Sequence, residues 1–224
     1  MSPINKAALF DLDGTLLDTL GDLTSALNRT LGKNGFRSDY TRADVNGFIG
    51  SGALVLVARA SGLPPESEEC GKLRLAFTEE YRSDLFTHTR PYPGIPELLR
   101  ELKARGVSSA VVSNKDDSCA EAIIEHFFGG DIAFTRGVRA EPERKPAPFT
   151  ALEALKALHT EPRNAVLIGD GITDAGTAKN AGVRFIPVGY GYTSPEKLRD
   201  LCGVRPVRDV KELSEAVFSA LGVK

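Results

Sequence analysis

Four short clusters in this 224-residue chain bring together side chains able to handle a transferring anionic group. The first is Phe10-Asp11-Leu12-Asp13-Gly14-Thr15, directly after an apolar run. Alternate residues of an extended backbone point the same way, so Asp11 and Asp13 share one side. Paired carboxylates can divide the work, one attacking as a nucleophile and the other moving a proton as acid and base. An Asp-Gly pair alone reads equally well as a plain turn. An EF-hand fits poorly: counted from Asp11, the sixth position is Leu16 and the twelfth is Asp22.

The second cluster is Ser113-Asn114-Lys115, the third Lys145-Pro146, and the fourth Gly169-Asp170-Gly171-Ile172-Thr173-Asp174. Singly, each has an ordinary structural reading: loop polarity, a solvated lysine, a proline at a helix start, a carboxylate at a helix N-terminus. The last of these accounts for Asp174 and leaves Asp170 without a reason. Gly169-x-Gly171 has the opening of a dinucleotide fingerprint, but Asp174 holds the third glycine's place and would repel a pyrophosphate. The chain has no GxxxxGK[ST], and Gly50-Ser51-Gly52 lacks the spacing of a nucleophile elbow.

The elements that must position these clusters follow from patterning. Strand-like apolar runs at Ala7–Phe10, Val107–Val112, Asp131–Thr135, Ala165–Ile168 and Val183–Val188 alternate with helical patterns. The helices are expected near Glu97–Arg105, Ser118–Phe128, Ala147–Leu158, Thr173–Ala181 and Val210–Leu221. This alternation predicts an α/β fold with a doubly wound, mostly parallel, Rossmann-like sheet, whose ligands sit at the carboxyl ends of the strands. Three of the four clusters directly follow an expected strand.

One stretch breaks the rhythm. Leu20, Leu23, Leu27 and Leu31, then Leu73, Phe77, Tyr81 and Leu85, recur at helical spacing, and the intervening Ala53–Val57 run is read as a helix. This predicts a helical insert over 17–88 within a core formed by 1–16 and 89–224. Short strands near Leu16–Thr19 and in the Pro91–Pro96 segment would form its hinge.

Composition excludes several classes. The longest apolar run, Ala53–Ala58, is far below the roughly 20 residues that span a bilayer, and the run after Lys6 stops at Asp11, too soon for a signal peptide. The expectation is a cytoplasmic protein with no membrane partner. A net charge of −2 lacks the basic excess of a nucleic-acid binder. Cys70, Cys119 and Cys202 are expected to be buried free thiols, and His88, His126 and His159 lack metal-ligand spacing. Nothing in the sequence fixes an oligomeric state.

Taken jointly, the clusters resemble the motifs of the haloacid dehalogenase superfamily, most like its phosphoglycolate phosphatase-type members. Asp11-Leu12-Asp13-Gly14-Thr15, Ser113, Lys145 and Gly169-Asp170 with Asp174 match its four motifs in order. The insert resembles that family's cap, Ile49–Gly52 its substrate-facing loop, and Gly189-Tyr190-Gly191-Tyr192 a segment common in this branch. The resemblance implies a phosphatase with Asp11 as nucleophile, forming an aspartyl phosphate, and Asp13 as general acid and base. It implies Mg²⁺ held by Asp11, Asp13 through its carbonyl, Asp170, and Asp174 through water, with Thr15, Ser113, Asn114 and Lys145 on the substrate. A carboxylate beside Asp13 would favour its protonated form. Four carboxylates against Lys145 then reach neutrality with Mg²⁺ and that proton. The implied partner is a small phosphorylated metabolite, 2-phosphoglycolate first. A β-phosphoglucomutase-like mutase, a pyrophosphatase of the same superfamily and a phosphorylated receiver-like module are the alternatives. Asp116, where relatives often carry Pro, and Gly171, where Ser is frequent, depart from the pattern.

Overall fold

The computed structural model describes residues 5–223; residues 1–4 and 224 of the expected core lie outside the described residues. In chain order the elements are β1 (Lys6–Phe10), β2 (Leu17–Asp18), α1 (Leu20–Lys33), α2 (Arg42–Asn46), α3 (Gly52–Ser61), α4 (Glu68–Arg82), β3 (Arg90–Pro91), α5 (Ile95–Ala104), β4 (Val107–Asp116) and α6 (Asp117–Phe128). They continue with β5 (Phe134–Val138), α7 (Phe149–Ala157), β6 (Ala165–Gly169), α8 (Ile172–Ala181), β7 (Arg184–Pro187), α9 (Pro195–Cys202) and α10 (Val210–Leu221).

Alternation along β1 shows why the sheet is covered on both faces. Ala8 and Phe10 join one apolar cluster, with α5, α6, α10 and the α1–α4 helices, while Ala7 and Leu9 join a second against α7 and α8. The sheet runs β5-β4-β1-β6-β7, all pairs parallel, as the alternating pattern predicts. β1 lies at its centre, so the loop after it opens at the carboxyl edge beside those of β4 and β6, where a doubly wound sheet binds ligands. Helices α1–α4 leave and rejoin this layer through β2 and β3, which pair antiparallel. No helix among the described residues is long and apolar enough to cross a membrane.

Several expectations shift. The third strand begins at Phe134, because Gly129–Asp131 form a 3₁₀ turn closing α6, with Gly129 at positive φ. Lys145 does not open a helix: α7 starts at Phe149, and Lys145-Pro146 lie in the loop before it. Leu85 is buried but falls beyond the end of α4. Cys70 and Cys119 are buried, whereas Cys202 is half-buried on α9, which buries Leu198 alone. The short helices α2 and α9 were not expected: α2 buries only Val45, and α9 sets Leu198, Leu201 and Cys202 on one face but buries Leu198 alone; Thr41 with Asp44 and Ser194 with Pro195 start them through local capping.

Candidate active site

The loops after β1, β4 and β6 converge on a cavity of about 160 Å³, closed from the other side by α1, α3 and α4. Asp11, Asp13, Ser113, Asn114, Lys145, Asp170 and Asp174 all line it. Thr15 does not. It is fully buried, and its hydroxyl donates to Asp170 Oδ1 over 3.3 Å, so the structure sets it behind a carboxylate and not on the substrate side where it was expected.

Local backbone explains these positions. Gly14 adopts φ +82°, which lets the chain turn sharply after Asp13, and a Cβ there would lie 2.5 Å from Asp170 Oδ2. In β4 the pairing with β5 is interrupted between Val112 and Asp116, so Ser113-Asn114-Lys115 leave the regular ladder and turn toward the cavity. Asp174 sits in the first turn of α8, where Oδ2 accepts the Gly171 N–H at 2.9 Å.

Lys145 is the hub. Its ammonium contacts Asp11 Oδ1 at 2.8 Å and Asp174 Oδ1 at 2.6 Å, and donates to the Val112 carbonyl over 3.1 Å. Burial works against this charge, but Asp11 and Asp174 outweigh burial and hold the ammonium above the usual lysine range. Asn114 Oδ1 accepts the Lys145 backbone N–H at 2.7 Å, so the Asn114 side chain braces the loop carrying this lysine. Burial first, then Asp174, pushes the Asp11 carboxyl up to about 7; burial, then Asp11 and Asp174, pushes Asp170 up to about 8.

The acidic cluster fits a bound cation. One carboxylate oxygen from each of Asp11, Asp170 and Asp174 lies within 4.8 Å of the others. Five carboxylates line the cavity; Asp116 is paired with Arg82 at 3.4 Å, and the other four, Asp11, Asp13, Asp170 and Asp174, against Lys115 and Lys145 leave two negative charges in excess, which one divalent ion offsets.

Three residues outside the expected set, Lys115, Thr19 and Tyr192, complete the site. Lys115, expected only as part of a polar loop, is buried with its Nζ 3.0 Å from Asp13 Oδ1, so Asp13 faces a cation as well as a second carboxylate. Thr19 Oγ1 also donates to Asp13 Oδ1, over 2.5 Å. Tyr192 donates its backbone N–H to Asp170 Oδ2 at 2.7 Å, while its hydroxyl accepts the Thr19 N–H at 2.7 Å. That double link gives the Gly189–Tyr192 segment its structural purpose. Ile49, Gly50 and Gly52 line the cavity as the loop resemblance implies. Arg59 of α3 is exposed and donates to the Gly47 and Phe48 carbonyls.

The chain belongs to the haloacid dehalogenase-like hydrolase family, whose description matches residues 8–188. It is 32% identical over 221 residues to N-acetylmuramic acid 6-phosphate phosphatase of Pseudomonas putida, covering 96% of this chain and 97% of that one. It is 37% identical over 196 residues to phosphoglycolate phosphatase of Rhodospirillum rubrum, covering 84% and 81%. A crystal structure from Lactobacillus delbrueckii subsp. bulgaricus, provisionally named phosphoglycolate phosphatase, matches with a TM-score of 0.87 at 33% identity, covering 96% of this chain and 99% of that one. The chain is therefore an enzyme of the phosphoric monoester hydrolase class, phosphoglycolate phosphatase-like, in a family whose phosphatases generally use a divalent metal.

Proposed function

We propose that the chain is a Mg²⁺-dependent phosphatase for a small phosphate monoester of a carboxylic acid, 2-phosphoglycolate foremost, working through an aspartyl phosphate on Asp11. The observation carrying this reading is that Asp11 and Asp13 share one cavity wall, each against its own buried lysine, Lys145 at 2.8 Å and Lys115 at 3.0 Å.

In this reading an Asp11 oxygen attacks phosphorus, the bond from phosphorus to the leaving oxygen breaks, and Asp13 passes its proton to that oxygen. Asp13 then takes a proton from water, whose oxygen attacks phosphorus. The bond to Asp11 breaks, and phosphate departs with Asp13 protonated again. The Ser113 hydroxyl and Asn114 N–H hold phosphoryl oxygens, and the charge of Lys145, pinned between Asp11 and Asp174, offsets the phosphoryl charge. Thr15 positions Asp170. The side chains of Asp11 and Asp170 and the carbonyl of Asp13 would hold Mg²⁺, with Asp174 acting through water. Bound there, the ion neutralises charge and polarises a phosphoryl oxygen, and the all-oxygen donor set suits Mg²⁺ over zinc. Residues 17–88 serve as a cap over a core of 1–16 and 89–224, keeping bulk solvent out of the closed cavity.

The substrate class rests on two supports. The relatives' names specify phosphoglycolate and N-acetylmuramic acid 6-phosphate, each a monoester on a carboxylic acid. The cavity is small and walled by Leu23, Ile49, Leu56 and Phe77, which suits a compact leaving group. N-acetylmuramic acid 6-phosphate is the second reading, favoured by that relative's near-complete coverage of both chains. A phosphate-release screen with and without Mg²⁺ decides: 2-phosphoglycolate is expected to lead N-acetylmuramic acid 6-phosphate, glucose 1-phosphate and pyrophosphate. D11N is expected to release none from any of them, and retained turnover in D11N would sink the covalent mechanism.

A further inference from the structure

Lys115 is a buried cation for which the reaction described above has no use beyond its contact with Asp13. Its side chain is 5% exposed, yet it lines the cavity. Burying an ammonium is costly unless its charge is matched, so a lysine in such a wall is there to meet an anion. Asp13 Oδ1 at 3.0 Å supplies one acceptor and the Tyr81 hydroxyl at 2.9 Å another. An ammonium has three donors. Lys145 has protein acceptors for all three, in Asp11, Asp174 and the Val112 carbonyl, whereas among the described residues Lys115 has two. Of the cations lining the cavity, Lys115 is thus the one with a donor left for a ligand.

Its place in the cavity limits what that ligand group is. The leaving oxygen sits by Asp13, and Lys115 shares that carboxylate, so its remaining N–H reaches a group a bond or two beyond the ester oxygen. We propose that Lys115 is a specificity-determining residue that receives a carboxylate on the leaving group, with Tyr81 steadying the ammonium from α4. This rests on the acid-monoester phosphatase reading above. A single donor matches one carboxylate oxygen. A second phosphate would call for arginine forks or several cations, and no arginine lines the cavity. A neutral group would leave Asp13 as the sole anion on the buried ammonium. Because Tyr81 comes from α4 and Lys115 from β4, the same contact couples the position of the helical insert to recognition of the leaving group.

The test compares kcat/KM for 2-phosphoglycolate and 2-hydroxyethyl phosphate, in which a CH₂OH replaces the carboxylate, in the wild type, K115M, K115R and Y81F. The wild type is expected to prefer 2-phosphoglycolate, and K115M to shrink that preference roughly ten- to hundredfold, the scale of one hydrogen bond to a charged group. K115R is expected to keep most of it and Y81F to lose a smaller part. Equal losses on both esters in K115M, with the preference intact, overturn the proposal and leave Lys115 a partner of Asp13 alone. A wild type that does not discriminate overturns the acid-monoester reading itself, and this shows before any variant is made. If K115M melts below the assay temperature, K115Q is read in the same way.

Discussion

Lys145 Nζ and Asp174 Oδ1 lie 2.6 Å apart, with the two side chains 1% and 0% exposed. A pair so enclosed is worth little as an added interaction but much when half of it is removed, because the survivor keeps its charge in a dry site. Breaking such a pair costs about 3–5 kcal/mol. D174A also leaves the Gly171 N–H without its acceptor. D174A and K145M are each expected to lower the melting temperature, and the double variant to lie well above the sum of the two losses. Thermal unfolding of all four proteins measures the coupling; strictly additive losses would show that the pair does not act as a unit.

Metal linkage gives a pH signature of known sign. Without a cation, burial and mutual repulsion push Asp11 up to about 7 and Asp170 up to about 8, against about 3.9 for an unfolded aspartate. Between pH ~4 and pH 7–8 the folded state therefore binds more protons than the unfolded state, and stability falls as pH rises. Mg²⁺ needs these carboxylates ionised, so it binds best where the metal-free protein is weakest. The melting temperature in EDTA is expected to drop from pH 5 to pH 8, and the gain on adding Mg²⁺ to grow over the same interval. An equal gain at pH 5 and pH 8 would refute this.

Gly191 is expected to be as sensitive as a catalytic residue. A Cβ there would meet the Gly14 carbonyl at 2.3 Å and Asp170 Cβ at 2.4 Å, atoms with no flexible side chain to yield. G191A must displace either the turn after Asp13 or Asp170 itself, loosening the cation site while the apolar core stays intact. The measurable consequence is a rise of at least about tenfold in the Mg²⁺ concentration giving half-maximal activity, the range seen when groups supporting metal ligands are disturbed. Unchanged Mg²⁺ dependence in a folded G191A would show that the close approach is not required.

What the sequence disclosed, and what it hid, has a physical pattern. β1 and β6 were legible because strands buried on both faces read as continuous apolar runs, β4 through its Ala110-Val111-Val112 stretch, and the Asp and Ser residues beside their ends could be placed on one edge of a parallel sheet. Lys115 was not legible: a lysine in a polar loop is usually solvated, and its partners Tyr81 and Asp13 come from 34 and 102 positions earlier in the chain. Thr15 was misplaced for a related reason, since its hydroxyl turns to Asp170, brought alongside by the β1–β6 pairing. A closer reading of local signals could have found α9, where Ser194-Pro195-Glu196 is a helix start in its own right.

Asp22 yields a prediction of this same hidden kind. It stands in the first turn of α1, where sequence offers the macrodipole as reason enough. The structure buries it to 1% exposure and turns it toward the returning chain: it accepts the His88 N–H at 2.8 Å, the Thr89 N–H at 2.9 Å and the Thr89 hydroxyl at 2.7 Å. One carboxylate thus ties the start of the helical insert to its end, next to the β2–β3 pair. D22A strands these donors, two of them on Thr89, which is fully buried, and is expected to cost about 3 kcal/mol or more. For a chain of this size that lowers the melting temperature by roughly 6–12 °C. D22N keeps one acceptor oxygen but brings two donors of its own, so its loss is expected to fall between wild type and D22A. A D22A protein melting within a degree of wild type would mean that water replaces the carboxylate and that the insert is anchored elsewhere.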